Sequence, residues 1–392
     1  MRTARRYLAR EIYRSCFVVI VALLGLFTFF ALVEDLDNVG DKFTLTALFY
    51  MQALAIPTRL YDLLPIGLLI GAILALAGLA QRNELTILRV AGVSGIRLLL
   101  ALWIITIPAV IGATLLSEYV TPYAEVKSGE ASLQFRGRAG GGRFESGYWF
   151  KEPTAQNGDR VINISELQAN GRVGAVKLYE FDADKNLLFV STATGGRFAD
   201  DQLILEQVTN HTIVNNAVDA LKDGATPKQP LMTLQETPER SFRTSLSAAR
   251  LLARVLTPER MSMGNLIDYI DYLDTNNLSS ERQVVALWRK MAYPFTLIVM
   301  MTIAAPIAFM QTRKGGVGAK VFIGILLGVG FFMLNQLALN VGMLSGWPSW
   351  LTALGPNAVA LLLGLGALIG MEYRQDLARL FGRRSPKNKA KA

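Results

Sequence analysis

The chain has almost none of the residue types that build disulfide frameworks and transition-metal sites. Its 392 residues include one cysteine, Cys16, and one histidine, His211. A single cysteine cannot form an internal disulfide, and a zinc site needs several Cys, His or carboxylate ligands close together. We therefore predict neither a disulfide-stabilised domain nor a Cys/His zinc cluster. We interpret Cys16 as a small apolar packing residue.

Charged residues are also scarce, and their absence is concentrated in long stretches. Asp, Glu, Lys and Arg make up only 18% of the chain. Five stretches contain no charged residue: Ser15–Val33, Leu63–Gln81, Leu98–Ser117, Met291–Thr312 and Val321–Met371. A helix crosses the bilayer core with about 20 apolar residues. The first four stretches therefore predict one membrane span each, and the fifth predicts two, separated by the turn formers of Gly346–Trp350.

The excess positive charge lies beside these predicted spans. Residues 122–282 carry 18 Lys and Arg against 21 Asp and Glu, whereas the rest of the chain carries 22 against 10. Loops rich in Lys and Arg stay in the cytoplasm, and the basic segments alternate as six crossings require. The sequence therefore predicts two cytoplasmic termini. The same distribution argues against a nucleic-acid-binding domain, in spite of a net charge of +9.

A long insertion follows the third span on the outer side. Short β-prone segments such as Tyr148–Phe150, Val176–Phe181 and Leu187–Val190 are separated by turn formers, among them Asp182–Asn186. This pattern predicts an antiparallel β domain, either a sandwich or a jelly roll. Beyond it, Ser262 is placed to cap an amphipathic helix that precedes the fourth span.

No catalytic grouping accompanies these elements. The glycine-rich run Lys314–Lys320 lacks the spacing and the Ser or Thr of a phosphate-binding loop, and His211 has no triad or metal-ligand partner in view. We predict that the chain is not an enzyme and binds no cofactor or metal. Any energy that it uses would come from another protein.

One short cytoplasmic segment, between the second and third spans, has the pattern of a docking helix. Residues 81–92 continue at helical spacing and end at Gly92, which is typical of a helix stop. The candidate contact residues are Arg82, Glu84, Leu85, Leu88 and Arg89, with the two leucines, and Val90 as a further option, forming an apolar ridge. Such a helix can lie on the membrane or in a partner's groove. Glu84 favours the partner, because a carboxylate gains nothing from an anionic lipid surface.

The run Leu79–Ser94 (LAQRNELTILRVAGVS) resembles the lipopolysaccharide-export permease family. The resemblance covers essentially the whole chain and includes Glu118–Pro122 and Ala305–Met310, which favour the G-type subunit over its F-type partner. It implies one half of an ABC transporter in the bacterial inner membrane. In that family the F-type and G-type permeases form a heterodimer and pair with a dimeric cytoplasmic ATPase, which uses ATP and Mg. Together they extract lipopolysaccharide and pass it to periplasmic bridge proteins. The family's helix after span two docks on the ATPase, and Glu84 matches its acidic contact.

The predicted fold class is an α-helical integral membrane protein with six transmembrane helices and an all-β, jelly-roll-like periplasmic domain between helices 3 and 4. The predicted divisions are residues 1–120 (helices 1–3 with the coupling helix 81–92), 121–260 (β domain), 261–282 (connecting helices), 283–374 (helices 4–6) and 375–392 (basic cytoplasmic tail).

A phosphorylated lipid substrate requires cations near the outer interface, since guanidinium groups bind phosphate through paired hydrogen bonds. The candidates are Lys42, Arg59, Lys127, Arg136, Arg138 and Arg289, with Lys290 beside the last. For each one the alternative is an interfacial charge that snorkels to water. Arg59 stands out because it lies between apolar segments, where a buried charge is costly. Two alternatives concern it: Asp62 could pair with it, and the family's basic residue can directly follow the proline, where this chain has Thr58.

Two other functions fit the same architecture. In a mechanotransmission protein, the helices would relay ATPase motion to a periplasmic effector and no lipid would enter. In a membrane-anchored enzyme, the active site would lie in the insertion. The permease is favoured over the enzyme because no catalytic grouping is visible in the insertion.

Overall fold

The computed structural model of the protein describes residues 2–40, 43–136, 147–154, 158–165, 172–199, 202–213, 232–244, 257–275, 278–309 and 317–372. The helices are α1 (Arg2–Leu36), α2 (Leu45–Gln81), α3 (Glu84–Val90), α4 (Gly95–Leu115), α5 (Thr121–Arg136), α6 (Met263–Thr275), α7 (Glu281–Phe309), α8 (Val317–Leu344) and α9 (Ser349–Glu372). A π-helical turn (Leu116–Val120) joins α4 to α5, and a 3-10 turn (Pro258–Arg260) precedes α6.

The six predicted spans are confirmed. Within the described ranges, 6 helical segments are long and apolar enough to cross a membrane, and they correspond to α1, α2, α4 with its continuation, α7, α8 and α9. The longest single helix is α2, with 37 residues and with Pro57 and Pro65 inside it. At 1.5 Å per residue it is about 55 Å long, well beyond a hydrocarbon core of about 30 Å. A proline inside a membrane helix is tolerated because neighbouring helices and local adjustments satisfy the freed backbone groups.

The third span continues past its charge-free stretch. α4 passes into the π-helical turn and then into α5, so residues 121–136 are helical. The sequence assigns these residues to the β domain; they are helical, and from Pro122 onward they belong to the same compact unit as the strands. Charges from Glu118 onward mark the end of the apolar stretch, but a helix satisfies its own backbone hydrogen bonds and needs no apolar side chains to continue.

The chain forms two compact units. The first comprises Met1–Ala31, Ile56–Thr121 and Glu281–Ala392. Its core lies among α2, α4 and α7, where Leu69, Ile73, Leu102 and Met300 are completely buried. The membrane helices of this unit therefore pack around one apolar cluster.

Small residues let these helices approach closely. A Cβ atom on Gly71 of α2 would lie 2.5 Å from the Cα atom of Cys16 on α1. A Cβ atom on Gly324 of α8 would overlap the side chain of Ile73 on α2. In lipid, such residues allow two backbones to pack against each other. Cys16 is buried at this crossing, in agreement with its predicted packing role.

The second unit comprises Leu32–Ala55 and Pro122–Ser280. Its strands are β1 (Tyr148–Pro153), β2 (Asp159–Ile164), β3 (Arg172–Val173), β4 (Val176–Phe181), β5 (Leu187–Ala199), β6 (Gln202–Ile213) and β7 (Met232–Arg243). They form one antiparallel sheet in the order β1-β2-β4-β5-β6-β7, with β3 paired to β5 at Gly196 and Arg197. The predicted antiparallel β region between the third and fourth spans is confirmed.

One face of this sheet is apolar and buried. Ile162 and Ile164 of β2, and Val176 and Leu178 of β4, are completely inaccessible to solvent. These residues alternate along their strands, as they do in a sheet with one covered face. The apolar cluster of the sheet is separate from that of the helices.

Two local predictions in this unit are confirmed. The β4–β5 turn is Asp182–Asn186: the Asp182 carboxylate accepts the Asn186 N–H at 2.8 Å, and Lys185 has a φ of 66°. The Oγ atom of Ser262 accepts the Asn265 N–H at 3.2 Å, which caps α6.

Candidate functional site

The segment after the second span is a turn followed by a short helix. α2 ends at Gln81, Asn83 has a φ of 58°, and α3 occupies only Glu84–Val90. The predicted single helix over residues 81–92 is therefore interrupted at its start, because Asn adopts the left-handed conformation more readily than other non-glycine residues. Gly92 has a φ of 86° and lies just beyond α3, so the predicted glycine stop is confirmed.

The apolar side chains of α3 lie on two faces. Leu85 is only 4% exposed and belongs to the buried cluster of the helical unit. It therefore anchors α3, and its predicted part in a contact with a partner stays a prediction. The exposed apolar side chains are Ile87 and Val90, at 65% and 85%. Helical spacing alone could not separate these two faces, because apolar residues occur on both. Arg82 is exposed, whereas the side chains of Leu88 and Arg89 lie outside the described part and their roles stay predictions.

A concave surface surrounds the predicted acidic contact. It is lined by Ala4, Tyr7, Leu8, Leu79, Glu84, Leu85 and Ile87, which come from α1, the end of α2 and α3. Glu84 is half-buried, and Tyr7 of α1 lines the same surface, where its hydroxyl interacts with the Glu84 carboxylate. Tyr7 had no signal in the sequence, because it lies far from Glu84 along the chain.

The cations predicted to lie near the outer interface occupy different environments. Arg59 is half-buried and donates to the Oγ1 atom of Thr28 at 3.4 Å. Lys127 forms an ion pair with Glu130 on the same helix, at 2.7 Å. Lys42 and Arg138 lie outside the described residues, as does the side chain of Arg136. These positions stay predictions.

Arg289 and its neighbour Lys290 differ in their contacts. The Lys290 ammonium donates to the Ser117 carbonyl at 3.1 Å and lies 3.6 Å from the Glu118 carboxylate. Arg289 is half-buried, and within the described part of the chain no side chain or backbone group hydrogen-bonds to it or pairs with it. Of these two cationic groups, the Arg289 guanidinium is therefore more available to an anionic ligand than the Lys290 ammonium.

The described residues include no group of three or more His, Cys, Asp or Glu that could hold a metal ion. His211 lies in β6, opposite Val190 of β5 and Leu234 of β7. The features that remain as candidates are the α3 segment and the half-buried arginines Arg59 and Arg289.

Six membrane-spanning helices with an antiparallel β region between the third and fourth define the class: a multi-pass membrane protein with a β insertion. The chain belongs to the lipopolysaccharide export system permease family LptF/LptG, whose model matches residues 6–369. The match includes every described helix and strand except the ends of α1 and α9.

Two curated relatives have similar lengths. The chain is 25% identical over 368 residues to the lipopolysaccharide export system permease protein LptG of Haemophilus influenzae, covering 93% of this chain and 97% of the relative. It is also 25% identical over 371 residues to the protein of the same name from Escherichia coli K12, with the same coverage.

Proposed function

We propose that this chain is the G-type permease subunit of an ABC transporter in the bacterial inner membrane. It extracts lipopolysaccharide from that membrane and passes it to a periplasmic bridge. The match to the permease family over residues 6–369 carries this proposal, and the LptG relatives support the G-type assignment. The chain itself performs no catalysis and holds no cofactor. ATP and Mg are used by a separate, dimeric ATPase on the cytoplasmic side.

The partner permease is the F-type subunit. The exposed apolar side chains of α1 and α8 support such a pairing, because both helices leave large residues such as Phe17, Phe29, Phe322 and Leu326 uncovered. Lipid and a second permease both satisfy such surfaces. The paired bundles would enclose the cavity that receives the lipid.

The α3 segment is the docking element for the ATPase. It lies in a loop with Arg82, Arg89 and Arg97, and this basic content supports a cytoplasmic position by the positive-inside rule. Leu85 anchors α3 in the bundle, while Ile87 presents an apolar side chain beside Glu84. Movement of the ATPase would therefore be transmitted to the ends of the second and third spans.

The outer cations bind the lipid's phosphates. Arg289 and Arg59 are the best-placed candidates, because both are half-buried arginines at or near membrane spans. Lys42, Lys127, Arg136 and Arg138 complete the set that we propose for the rim of the cavity. A guanidinium in a partly apolar place binds phosphate more strongly than one in free water.

Reconstitution of the chain with its F-type partner and ATPase tests the proposal. We expect Glu84→Lys to abolish co-purification of the ATPase while the permease pair stays folded. The matched control is Glu236→Lys, the same charge reversal at an exposed position of β7. Normal co-purification of the Glu84 variant would contradict the docking role.

A photo-crosslinking residue at position 289, and another at position 59, tests the substrate. Under the transport hypothesis both capture lipopolysaccharide, and ATP hydrolysis reduces the yield as lipid leaves the cavity. Crosslinks to protein alone, with ATPase coupling intact, would indicate mechanotransmission in place of lipid transport.

A further inference from the structure

The first turns of α1 are packed against the docking segment. Leu8 of α1, Leu79 at the end of α2 and Leu85 of α3 are all buried in the same apolar cluster. These three leucines also line the concave surface that contains Glu84. The start of α1 therefore has a fixed place beside α3, although at least 70 residues separate them in the chain.

This packing determines where Tyr7 lies. Tyr7 precedes the buried Leu8 and is 44% exposed, and its side chain lines the same concave surface as Glu84, where its hydroxyl interacts with the Glu84 carboxylate. The aromatic ring has only two side-chain torsions, and its neighbour Leu8 fixes the helix that carries it. A hydrogen bond from a hydroxyl to a carboxylate is charge-assisted and stronger than a neutral one.

Glu84 needs such a partner if it is to present its charge in one direction. A glutamate side chain has several rotatable bonds and loses about 1.5–2 kcal/mol of conformational entropy when it is ordered. Asn83, in the left-handed conformation, and the anchored Leu85 fix the backbone on either side of Glu84. They do not fix the carboxylate, and among the residues that line the surface Tyr7 is the only phenolic donor.

We infer that Tyr7 is a positioning residue that holds the Glu84 carboxylate in the orientation required for ATPase docking. This inference rests on the proposed function and deepens it. The docking site is then built from two segments, the start of α1 and α3. The hydroxyl of Tyr7 contributes to docking only through Glu84.

The experiment measures the affinity of the ATPase for the complete permease pair in lipid nanodiscs. The variants are Tyr7→Phe, Glu84→Gln and the double variant, and each is checked by its melting temperature. Tyr7→Phe keeps the ring and removes only the hydroxyl. The control is Tyr13→Phe, on the same helix, which removes the hydroxyl that donates to the Ile105 carbonyl.

We expect Tyr7→Phe to weaken ATPase binding about three- to tenfold, the range that corresponds to one typical hydrogen bond in a partly exposed place. The double variant should bind no more weakly than Glu84→Gln alone, because the hydroxyl then has no carboxylate to position. Tyr13→Phe should leave the affinity unchanged.

The other outcomes separate this inference from the docking role. If Glu84→Gln weakens binding and Tyr7→Phe does not, the positioning role is wrong and the docking role stands. Additive losses in the double variant would show that Tyr7 acts independently of Glu84 and would overturn the inference. If Glu84→Gln and Glu84→Lys both bind normally, the proposed docking function itself is wrong.

Discussion

The Nζ atom of Lys290 on α7 donates a hydrogen bond of 3.1 Å to the backbone carbonyl of Ser117 in the π-helical turn. The Glu118 carboxylate lies 3.6 Å from the same ammonium group, and the Lys290 side chain is only 9% exposed. A π-helical turn disturbs the regular hydrogen-bond ladder of a helix, and such turns occur frequently at functional sites. Lys290 therefore joins α7 to the point where α4 passes into α5. Its ammonium group is paired with Glu118 there, so it is less available to an anionic ligand.

Removal of this lysine should destabilise the bundle. Lys290→Met takes a donor from a buried carbonyl and the cation from Glu118, and we expect a loss of about 1–3 kcal/mol in the free energy of unfolding. Denaturant titration of the purified permease pair measures it. Arg289→Met, one position earlier, is the control; an equal loss there would show that the effect is not specific to the Lys290 contacts.

The crossing of α1 and α2 predicts a second stability effect. A Cβ atom on Gly71 meets the backbone of Cys16, whereas a Cβ atom on Gly78 meets nothing within 4 Å in the described structure. Gly71→Ala should therefore separate the two helices at a cost of about 1–3 kcal/mol, typical of overpacking. Gly78→Ala should be neutral or slightly stabilising, because Ala favours a helix. Thermal unfolding in the same detergent compares them, and equal midpoints would contradict the close approach.

The two faces of α3 should respond differently to truncation. Leu85→Ala removes a buried side chain and should lower stability by about 2–5 kcal/mol. Ile87→Ala truncates an exposed side chain and should leave stability nearly unchanged while it weakens ATPase binding. Melting temperature and ATPase affinity, measured on both variants, test this division. A loss of affinity without a loss of stability in the Leu85 variant would reverse the assignment of the faces.

The outer cations should differ in their contribution to lipid binding. Arg289→Gln removes a guanidinium without a partner among the described residues, whereas Lys127→Gln removes a charge that Glu130 already neutralises. We expect a marked fall in bound lipopolysaccharide for the first variant and little change for the second. Quantitative mass spectrometry of lipid that co-purifies with the transporter measures both. Similar losses in the two variants would indicate that overall charge matters and that the individual position does not.

One ion-pair group in the sheet predicts a response to acid. The hydrogen bond from Lys185, with a further contribution from Lys151, holds the pKa of Asp159 below its ordinary value. A carboxyl group whose pKa is lower in the folded state stabilises the fold above its unfolded pKa of about 3.9, and this contribution is lost as the pH falls through the folded pKa. Asp159→Asn should therefore lower the unfolding midpoint of the β unit at pH 7.

The same comparison at low pH supplies the control. The difference between the parent chain and the Asp159→Asn variant should shrink below about pH 4 and vanish when Asp159 is protonated. Because Asp159 and Lys185 lie near the surface, we expect a small effect. A difference that stays constant from pH 7 to pH 3 would exclude the ion pairs as its cause.

Several features of the site and the fold could be predicted from local sequence. Charge-free stretches of about 20 residues indicate spans because the bilayer core admits little else, and the turn at Asp182–Asn186 and the cap at Ser262 depend on side chains that bond within a few residues. The helical continuation of the third span could not be predicted, since apolar character marks the membrane boundary and a helix can continue beyond it. The burial of Leu85 could not be predicted either, because the helix α3 has apolar side chains on more than one side.

The amino-acid order is sufficient to predict properties that depend on neighbours along the chain. These are the number of spans, the position of the β insertion, and the basic loops from which the orientation is proposed. It is insufficient to predict properties that depend on which helix faces pack against each other. Tyr7 and Glu84 on one concave surface, and Lys290 hydrogen-bonded to Ser117, bring distant segments together. They arise from the packing of whole helices, and no spacing rule within one helix specifies them. The low charge content thus establishes a membrane bundle, and the packing of that bundle decides which of its few charges are paired and which are available.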